Sequence, residues 1–83
     1  MSYEKVTRAE SRIVIGKSQT LKAMHQGIAS EVYYALDADE YLIQDVIQLA
    51  EEQNIPCISV DSMKKLGKAC GIEVGASTVA LTR

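Results

Sequence analysis

The sequence predicts an α/β protein built as three layers, with helices packed on both faces of one sheet. Helix-like and strand-like segments alternate along all 83 residues, which is the pattern of a sheet covered on both sides. Hydrophobic residues make up 47% of the chain, enough for a folded core. No repeat, low-complexity tract or linker divides the sequence, so one domain over residues 1–83 is expected. Trp and Phe are absent, which predicts an aliphatic core.

The first three elements follow from residue type and spacing. Residues 2–10 contain no Pro or Gly and are predicted as a short helix. Residues 12–15 are rich in β-branched side chains and are predicted as a buried strand that Gly16 ends. Residues 18–26 then show helical spacing, with apolar side chains on one side and polar ones on the other, and Gly27 is the expected C-terminal cap.

The middle of the chain continues the alternation. Residues 31–36 alternate as a strand, with Leu36 on the same face as Val32 and Tyr34. Asp39 is the expected N-cap of a long helix that runs to about residue 53 and has a wide apolar stripe.

The last elements are a strand, a helix and a strand. Residues 57–60 form the third predicted strand, after which Asp61 and Ser62 are expected to cap a short helix. Its apolar side chains lie on one side and its lysines on the other. Residues 71–75 form a loop bounded by glycines, and residues 76–82 are the predicted final strand.

The acidic average conceals a segregated charge. The net charge is −2, but residues 1–30 have five basic and two acidic side chains, and residues 62–83 have four basic and one acidic. Residues 31–61 have eight acidic side chains and no basic one. If the two ends of the chain meet in the fold, part of the surface is basic although the whole protein is acidic.

Other features limit the compartment and the cofactors. No apolar run reaches the roughly 18 residues needed to cross a bilayer, and the first residues lack the apolar stretch of a secretion signal. A cytoplasmic protein without a membrane partner is therefore expected. Cys57 and Cys70 indicate neither a zinc site nor a disulfide framework and are interpreted as interior thiols. No metal or cofactor is predicted.

An enzymatic interpretation finds little support. Residues 13–18, with the sequence IVIGKS, resemble the end of a nucleotide-binding P-loop, but the Gly required five positions before Gly16 is replaced by Ser11. His25, the one histidine, has no acidic residue on its own helix to orient it. The chain is therefore predicted not to be an enzyme, and a small hydrolase using Lys17 and Asp61 remains the weaker alternative.

Two regions are candidate binding sites, and each also has a purely structural interpretation. The start of the second helix offers backbone N–H groups and polar side chains to phosphates, or it is only a solvated surface. The fourth helix and the loop after it offer lysines and apolar side chains to an unstacked base, unless the apolar side chains lie under the final strand. The residues concerned are Lys17, Ser18, Gln19, Lys22, Lys64, Lys65, Lys68, Ile72 and Val74.

The segment MKKLGKACGIEVGA, residues 63–76, closely resembles the signature of the kink-turn-binding ribosomal-protein family, of the archaeal ribosomal protein L-seven-Ae type. The resemblance extends over nearly the whole chain. Within the family it is closest to the small bacterial YbxF-like members. The resemblance implies an α/β/α sandwich with a four-stranded mixed sheet, and it implies a position for bound RNA.

Family members read the sheared G·A pairs of the kink with a Gly, an Asn-Glu pair and a Lys at the start of the second helix. The matching residues here are Gly16, Ser18, Gln19 and Lys22. Ser and Gln thus replace the usual Asn and Glu, although a Gln side chain still donates and accepts hydrogen bonds. Members also cover an extruded nucleotide with a loop that Ile72, Glu73 and Val74 match.

The resemblance therefore implies a non-catalytic protein that recognises and stabilises kink-turn RNA, either ribosomal RNA or a structured element of a messenger RNA. We expect a monomer that does not bind DNA. Its acidic middle segment should face away from the RNA. The alternative is a protein-interaction module in which the same loop and lysines meet an acidic partner. The side chains expected to neutralise phosphates are Lys17, Lys64, Lys65 and Lys68.

Overall fold

Helices and strands alternate in the computed structural model, which describes residues 2–9 and 12–83. The predicted order of elements is confirmed, except that Glu10, the predicted end of the first helix, lies outside the described residues. The elements are α1 (Ser2–Ala9), β1 (Ile13–Ile15), α2 (Lys17–His25), β2 (Ala29–Ala35), α3 (Glu40–Glu52), β3 (Cys57–Val60), α4 (Met63–Ala69) and β4 (Thr78–Thr82).

The four strands form one mixed sheet in the order β1-β4-β2-β3. β4 is antiparallel to both β1 and β2, whereas β2 is parallel to β3. The last strand of the sequence thus lies inside the sheet, which explains why residues 78–81 of β4 are all buried. The expected four-stranded mixed sheet is confirmed.

Helices cover both faces of this sheet. α2 packs against α3 on one face, and α1 packs against α4 on the other. Successive side chains of a strand point to opposite faces, so Val32 joins a cluster with Met24 and Val46, while Tyr33 joins one with Val6 and Leu66. The three-layer α/β/α architecture is therefore confirmed.

The expectation of an aliphatic core is wrong at one position. Tyr33 is only 2% exposed and is the largest of the fully buried side chains. Its hydroxyl lies 3.3 Å from a carboxylate oxygen of Glu31, so the ring is buried while its polar end still has a partner.

The ends of β2 differ from those predicted. The strand begins at Ala29, two residues early, because Ala29 pairs with Thr82 of β4. It ends at Ala35, and Leu36 is 63% exposed instead of lying with Val32 on an inner face. A two-residue alternation cannot show where the neighbouring strand stops.

The beginnings of β4 and α3 also require correction. β4 starts at Thr78 rather than at residue 76, because the N–H of Ala76 donates to the carbonyl of Met63 and not to a strand. Asp39 does occupy the N-cap position of α3, but within the described parts of the chain its side chain makes no capping hydrogen bond.

Both cysteines have free thiols and are half-buried. Burial raises the pKa of Cys57 and of Cys70, which lowers the thiolate fraction at neutral pH. The helices in residues 2–9 and 12–83 are all too short or too polar to cross a lipid bilayer.

Candidate nucleic-acid interface

The candidate residues come together at one end of the sheet. Ile15, the last residue of β1, pairs with Val79 near the start of β4. Tyr34, near the end of β2, pairs with Thr78. The turn after β1 and the segment before β4 therefore lie at the same end, although some 60 residues separate them in sequence. This brings Lys17 and Lys22 of the first basic segment to the same end as the lysines of α4. Lys5, Arg8 and Arg12 instead line a cavity with Ser30 and Pro56 at the other end, so the two basic ends of the chain meet only in part.

Gly16 forms the turn that joins β1 to α2. Its φ of 97° lies in a region that residues with a side chain rarely adopt. Its N–H donates to the carbonyl of Thr78 (2.8 Å), and its own carbonyl accepts the N–H of Thr20 (2.9 Å). A glycine at this position lets the chain leave β1 and enter α2 beside the first residue of β4.

The first turn of α2 presents backbone donors that have no partner among residues 2–9 and 12–83. No side chain of the described residues caps this helix, and the N–H groups of its first turn have no partner within the helix. Ser18, Gln19 and Lys22 are all exposed and stand on one side of α2, as predicted. Amide, hydroxyl and ammonium groups thus surround a helix N-terminus, which is an arrangement suited to phosphates and to base edges.

Lys17 is oriented differently from the expectation. Its ammonium group donates to the carbonyl of Tyr41 (3.1 Å) and lies 3.2 Å from a carboxylate oxygen of Asp45, with the side chain 30% exposed. The side chain therefore links α2 to α3. Asp45 partly compensates its charge, and the role of Lys17 in neutralising phosphates stays a prediction that requires this contact to break.

The lysines of α4 project into solvent. Lys64, Lys65 and Lys68 are all exposed, while Leu66 on the opposite side is fully buried. Lys65 lies 3.3 Å from Asp61, and both side chains are 65% exposed. Because solvent screens such exposed pairs and they contribute little, this contact hardly restrains Lys65.

The loop after α4 is held by its backbone and open at its side chains. The N–H of Ile72 donates to the carbonyl of Gly67 (3.1 Å), which anchors the loop on the helix. Ile72 is half-buried, whereas Glu73 is exposed and Val74 is 70% exposed. The interpretation in which the final strand covers both apolar side chains is therefore wrong for Val74.

Gly67 makes the approach of this loop possible. A Cβ atom at this position would lie 2.0 Å from the carbonyl oxygen of Val74, far inside van der Waals contact. Gly67 is itself buried under that carbonyl. Any larger residue would have to displace the loop, so the absence of a side chain at residue 67 determines where Val74 stands.

Two residues to which the sequence assigned no part in this site hold the start of α4. The N–H of Met63 donates to Asp37 (2.8 Å). The hydroxyl of Tyr3 donates to Asp61 and accepts the N–H of Ser62 (3.1 Å). These partners come from distant elements, and therefore local sequence gives no signal for them. The Tyr3 hydrogen bond, followed by Lys65, holds the pKa of Asp61 below its ordinary value.

Ser62 caps α4 as predicted, because its hydroxyl accepts the N–H of Lys65 (3.2 Å). The acidic segment, however, does not lie wholly away from this end of the molecule. β2 and β3 run parallel, so the residues that follow them, Asp37, Asp39 and Asp61, reach the same end of the sheet as Gly16. The expectation that this segment faces away is wrong for these three.

The hydrolase alternative receives no geometric support. β1 and β3 are the two outer strands, with β4 and β2 between them, so Lys17 and Asp61 follow strands that are about 14 Å apart. Each side chain also has other partners: Lys17 contacts Asp45, and Asp61 contacts Tyr3 and Lys65. The structure therefore does not bring them together around one phosphate.

Comparison with known proteins finds a matching family and several similar proteins. The model of the Ribosomal protein L7Ae/L30e/S12e/Gadd45 family matches residues 1–83. An "RNA-binding protein" of Geobacillus thermodenitrificans and the "RNA-binding protein YbxF" of Geobacillus stearothermophilus are each 55% identical over the full length of both chains. A solved structure, "Giardia lamblia 15.5kD RNA binding protein", has a TM-score of 0.89 at 26% identity and is similar over 94% of this chain and 68% of its own.

Proposed function

Because the chain belongs to the Ribosomal protein L7Ae/L30e/S12e/Gadd45 family, we propose that it is a non-catalytic protein that binds kink-turn RNA and stabilises its bent form. The observation that carries the proposal is the juxtaposition, at one end of the sheet, of the uncapped start of α2 and the exposed Val74 loop. Polar groups that suit base edges thus stand beside an apolar surface that suits an unstacked base.

Each part of this surface has a separate role in the proposal. Gln19 and Lys22 form hydrogen bonds to guanine edges of the sheared G·A pairs, with Ser18 and the backbone of Gly16 beside them. Ile72 and Val74 cover the extruded nucleotide, and Glu73 stands between them on the same loop. The phosphates of the bent strand are neutralised by Lys64, Lys65 and Lys68.

Lys17 has a conditional part in this scheme. Its ammonium group must leave Tyr41 and Asp45 before it can approach a phosphate, and its side chain is already 30% exposed. Stabilisation of the kink requires no chemistry. A protein that binds the bent RNA and hardly binds the extended RNA shifts the population by that difference in affinity.

The deciding experiment is a titration of a labelled kink-turn RNA at two salt concentrations. The matched control is the same RNA with Watson–Crick pairs in place of its G·A pairs. We expect selective binding that weakens as salt rises. Equal binding to both RNAs, or to neither, would mean that this surface serves another partner, such as an acidic protein that meets the loop and the lysines.

Three variants separate the proposed roles in the same assay. Lys22→Ala should cost about 1–3 kcal/mol of binding free energy if the lysine contacts a base edge. Val74→Asp should weaken binding more than Lys65→Ala, because it sets a charge against the covered base, whereas Lys65 is one of several phosphate contacts. Equal losses in all three variants would contradict this division of roles.

A further inference from the structure

A groove of about 580 Å³ lies beside α3, on a surface that the RNA proposal does not use. Its apolar residues come from the segment after β2 and from α3, and its polar residues come from α3 alone. The α3 residues recur at helical spacing from Glu40, so they form one stripe along the helix. The lining residues are Leu36, Ala38, Glu40, Ile43, Gln44, Ile47, Gln48 and Glu51.

The apolar part of this groove is open to solvent. Leu36 is 63% exposed, because β2 ends one residue earlier and leaves its side chain beyond the sheet. Ile47 is half-buried, and Ile43 forms the buried floor with 8% exposure. Leu36, Ile43 and Ile47 together form the apolar lining of the groove, which an apolar side chain of a partner can cover.

This surface is distinct from the candidate nucleic-acid interface. α3 contacts the start of α2 through Tyr41 and Asp45, and neither of these residues lines the groove. The lysines of α4 and the Val74 loop belong to the other helical layer. Leu36 and Ala38 follow β2 and so lie at the same end of the sheet as Gly16, but none of the residues proposed to bind RNA lines the groove.

The charge around the groove indicates the chemistry of its occupant. Residues 31–61 contain no Lys or Arg, and Glu40 and Glu51 stand at the two ends of the lining stripe, both exposed. Such a surface repels the phosphates of RNA, whereas it attracts a positively charged polypeptide. Gln44 and Gln48 between the two acids supply neutral hydrogen-bonding groups.

We propose that this groove binds a basic segment of a second protein, in which a large apolar side chain is flanked by Lys or Arg. The apolar side chain packs against Leu36, Ile43 and Ile47, and the cations face Glu40 and Glu51. The two acids are eleven residues apart on α3, about 16 Å along the helix axis, which a helix of about three turns can match. This proposal does not depend on RNA binding. Together with RNA binding, it would make the protein a link between an RNA and a basic protein.

The test is a titration of the isotope-labelled protein, followed by nuclear magnetic resonance, with a synthetic amphipathic peptide of Leu and Lys of about 14 residues, long enough to span the groove as a helix. The matched peptide has Glu in place of Lys. We expect saturable 1:1 binding of the Lys peptide alone, with the largest shifts at the methyl groups of Leu36, Ile43 and Ile47.

Variants identify the groove as the site. Leu36→Ser should weaken peptide binding about tenfold, the loss expected when one large apolar contact is removed; because Leu36 is exposed, this variant should fold normally. Glu40→Gln with Glu51→Gln should weaken binding about threefold and reduce its dependence on salt. Asp45→Asn with Glu52→Gln removes two negative charges from the part of α3 outside the groove. This control should produce less than half of the loss in binding free energy that Glu40→Gln with Glu51→Gln produces.

Three outcomes would overturn the proposal. An equal loss in both double variants would mean that the peptide binds by general attraction to an acidic protein. Shifts confined to another surface would place the peptide elsewhere. A tumbling time that rises with protein concentration, and that Leu36→Ser abolishes, would mean that the groove takes a second copy of this chain.

Discussion

At the scale of single residues, Gly67 shows how a missing side chain can position a binding surface. Its role does not come from backbone conformation, because its φ is not positive, unlike those of Gly16 and Gly71. It comes from space, since the carbonyl of Val74 occupies the position that a Cβ atom would take. Spacing in the sequence cannot reveal this requirement, because the obstructing atom belongs to a loop seven residues later.

The substitution Gly67→Ala tests this role by the sign of its effect. In an unobstructed helix interior, replacing Gly with Ala stabilises the helix by about 1 kcal/mol. Here the new methyl group must push the loop away, so we expect a loss of about 1–3 kcal/mol in the free energy of unfolding. Urea denaturation measures this change, and a gain in stability would show that the loop can move without cost.

Residue patterns predicted some parts of the site and missed others for a common reason. The exposure of Ser18, Gln19 and Lys22 follows from the helical period alone, and the structure places them as expected. The orientation of Lys17 could not be predicted, because its partner Asp45 lies on another helix. The helical repeat of apolar and polar residues shows which side of one helix is exposed. A contact between two helices depends on how the helices pack.

At the scale of secondary-structure elements, the α2 to α3 contact controls how much positive charge the start of α2 presents. Lys17 is the link, since its ammonium group contacts both the carbonyl of Tyr41 and the carboxylate of Asp45. Removing the carboxylate charge leaves only the neutral carbonyl as a partner. Lys17 would then reach RNA at a lower cost.

Asp45→Asn should therefore strengthen kink-turn binding severalfold. It should also make the salt dependence steeper by about one unit of slope, as expected for one further phosphate contact. The measurement is the slope of log Kd against log salt concentration. Glu52→Gln is the matched control, because it changes the net charge equally at the last residue of α3. Equal gains in both variants would mean that net charge, and not Lys17, is responsible.

α4 is the second element that the RNA proposal requires to be rigid. It is short, with only seven residues, and helices of that length are not stable alone. Its start is capped by Ser62 and held by Asp37, and its end anchors Ile72. The sequence predicted the Ser62 cap because Ser62 and Lys65, which it caps, are three residues apart. The sequence did not predict the contact of Asp37 with Met63, because these residues are 26 positions apart.

At the scale of the whole molecule, alternation predicted the layers but not the strand order. Eight alternating segments are sufficient to predict helices on both faces of a sheet. The position of β4 between β1 and β2 follows from pairing between strands that are far apart in sequence. The residue pattern does not predict such pairing. The parallel pairing of β2 and β3 also determined the unexpected location of Asp37, Asp39 and Asp61.

The segregation of charge leads to a prediction for the whole molecule. A protein with a net charge of −2 binds RNA through local positive charge, so equal charge changes at different places should have unequal effects. Lys64→Gln with Lys68→Gln removes two charges beside the Val74 loop. Lys5→Gln with Arg8→Gln removes two positive charges from α1. Both residues line a cavity with Ser30 and Pro56. Ser30 lies at the start of β2 and Pro56 just before β3, so this cavity is at the opposite end of the sheet.

The α4 variant should lower the salt slope of kink-turn binding by about 1.5, because each lost phosphate contact removes about 0.7–0.9 from it. The α1 variant should leave the slope nearly unchanged. If both variants lower the slope equally, RNA responds to the long-range field of the molecule and the lysines of α4 make no direct contacts. If only the α4 variant does, contacts at one end of the sheet account for binding by a protein that is acidic as a whole.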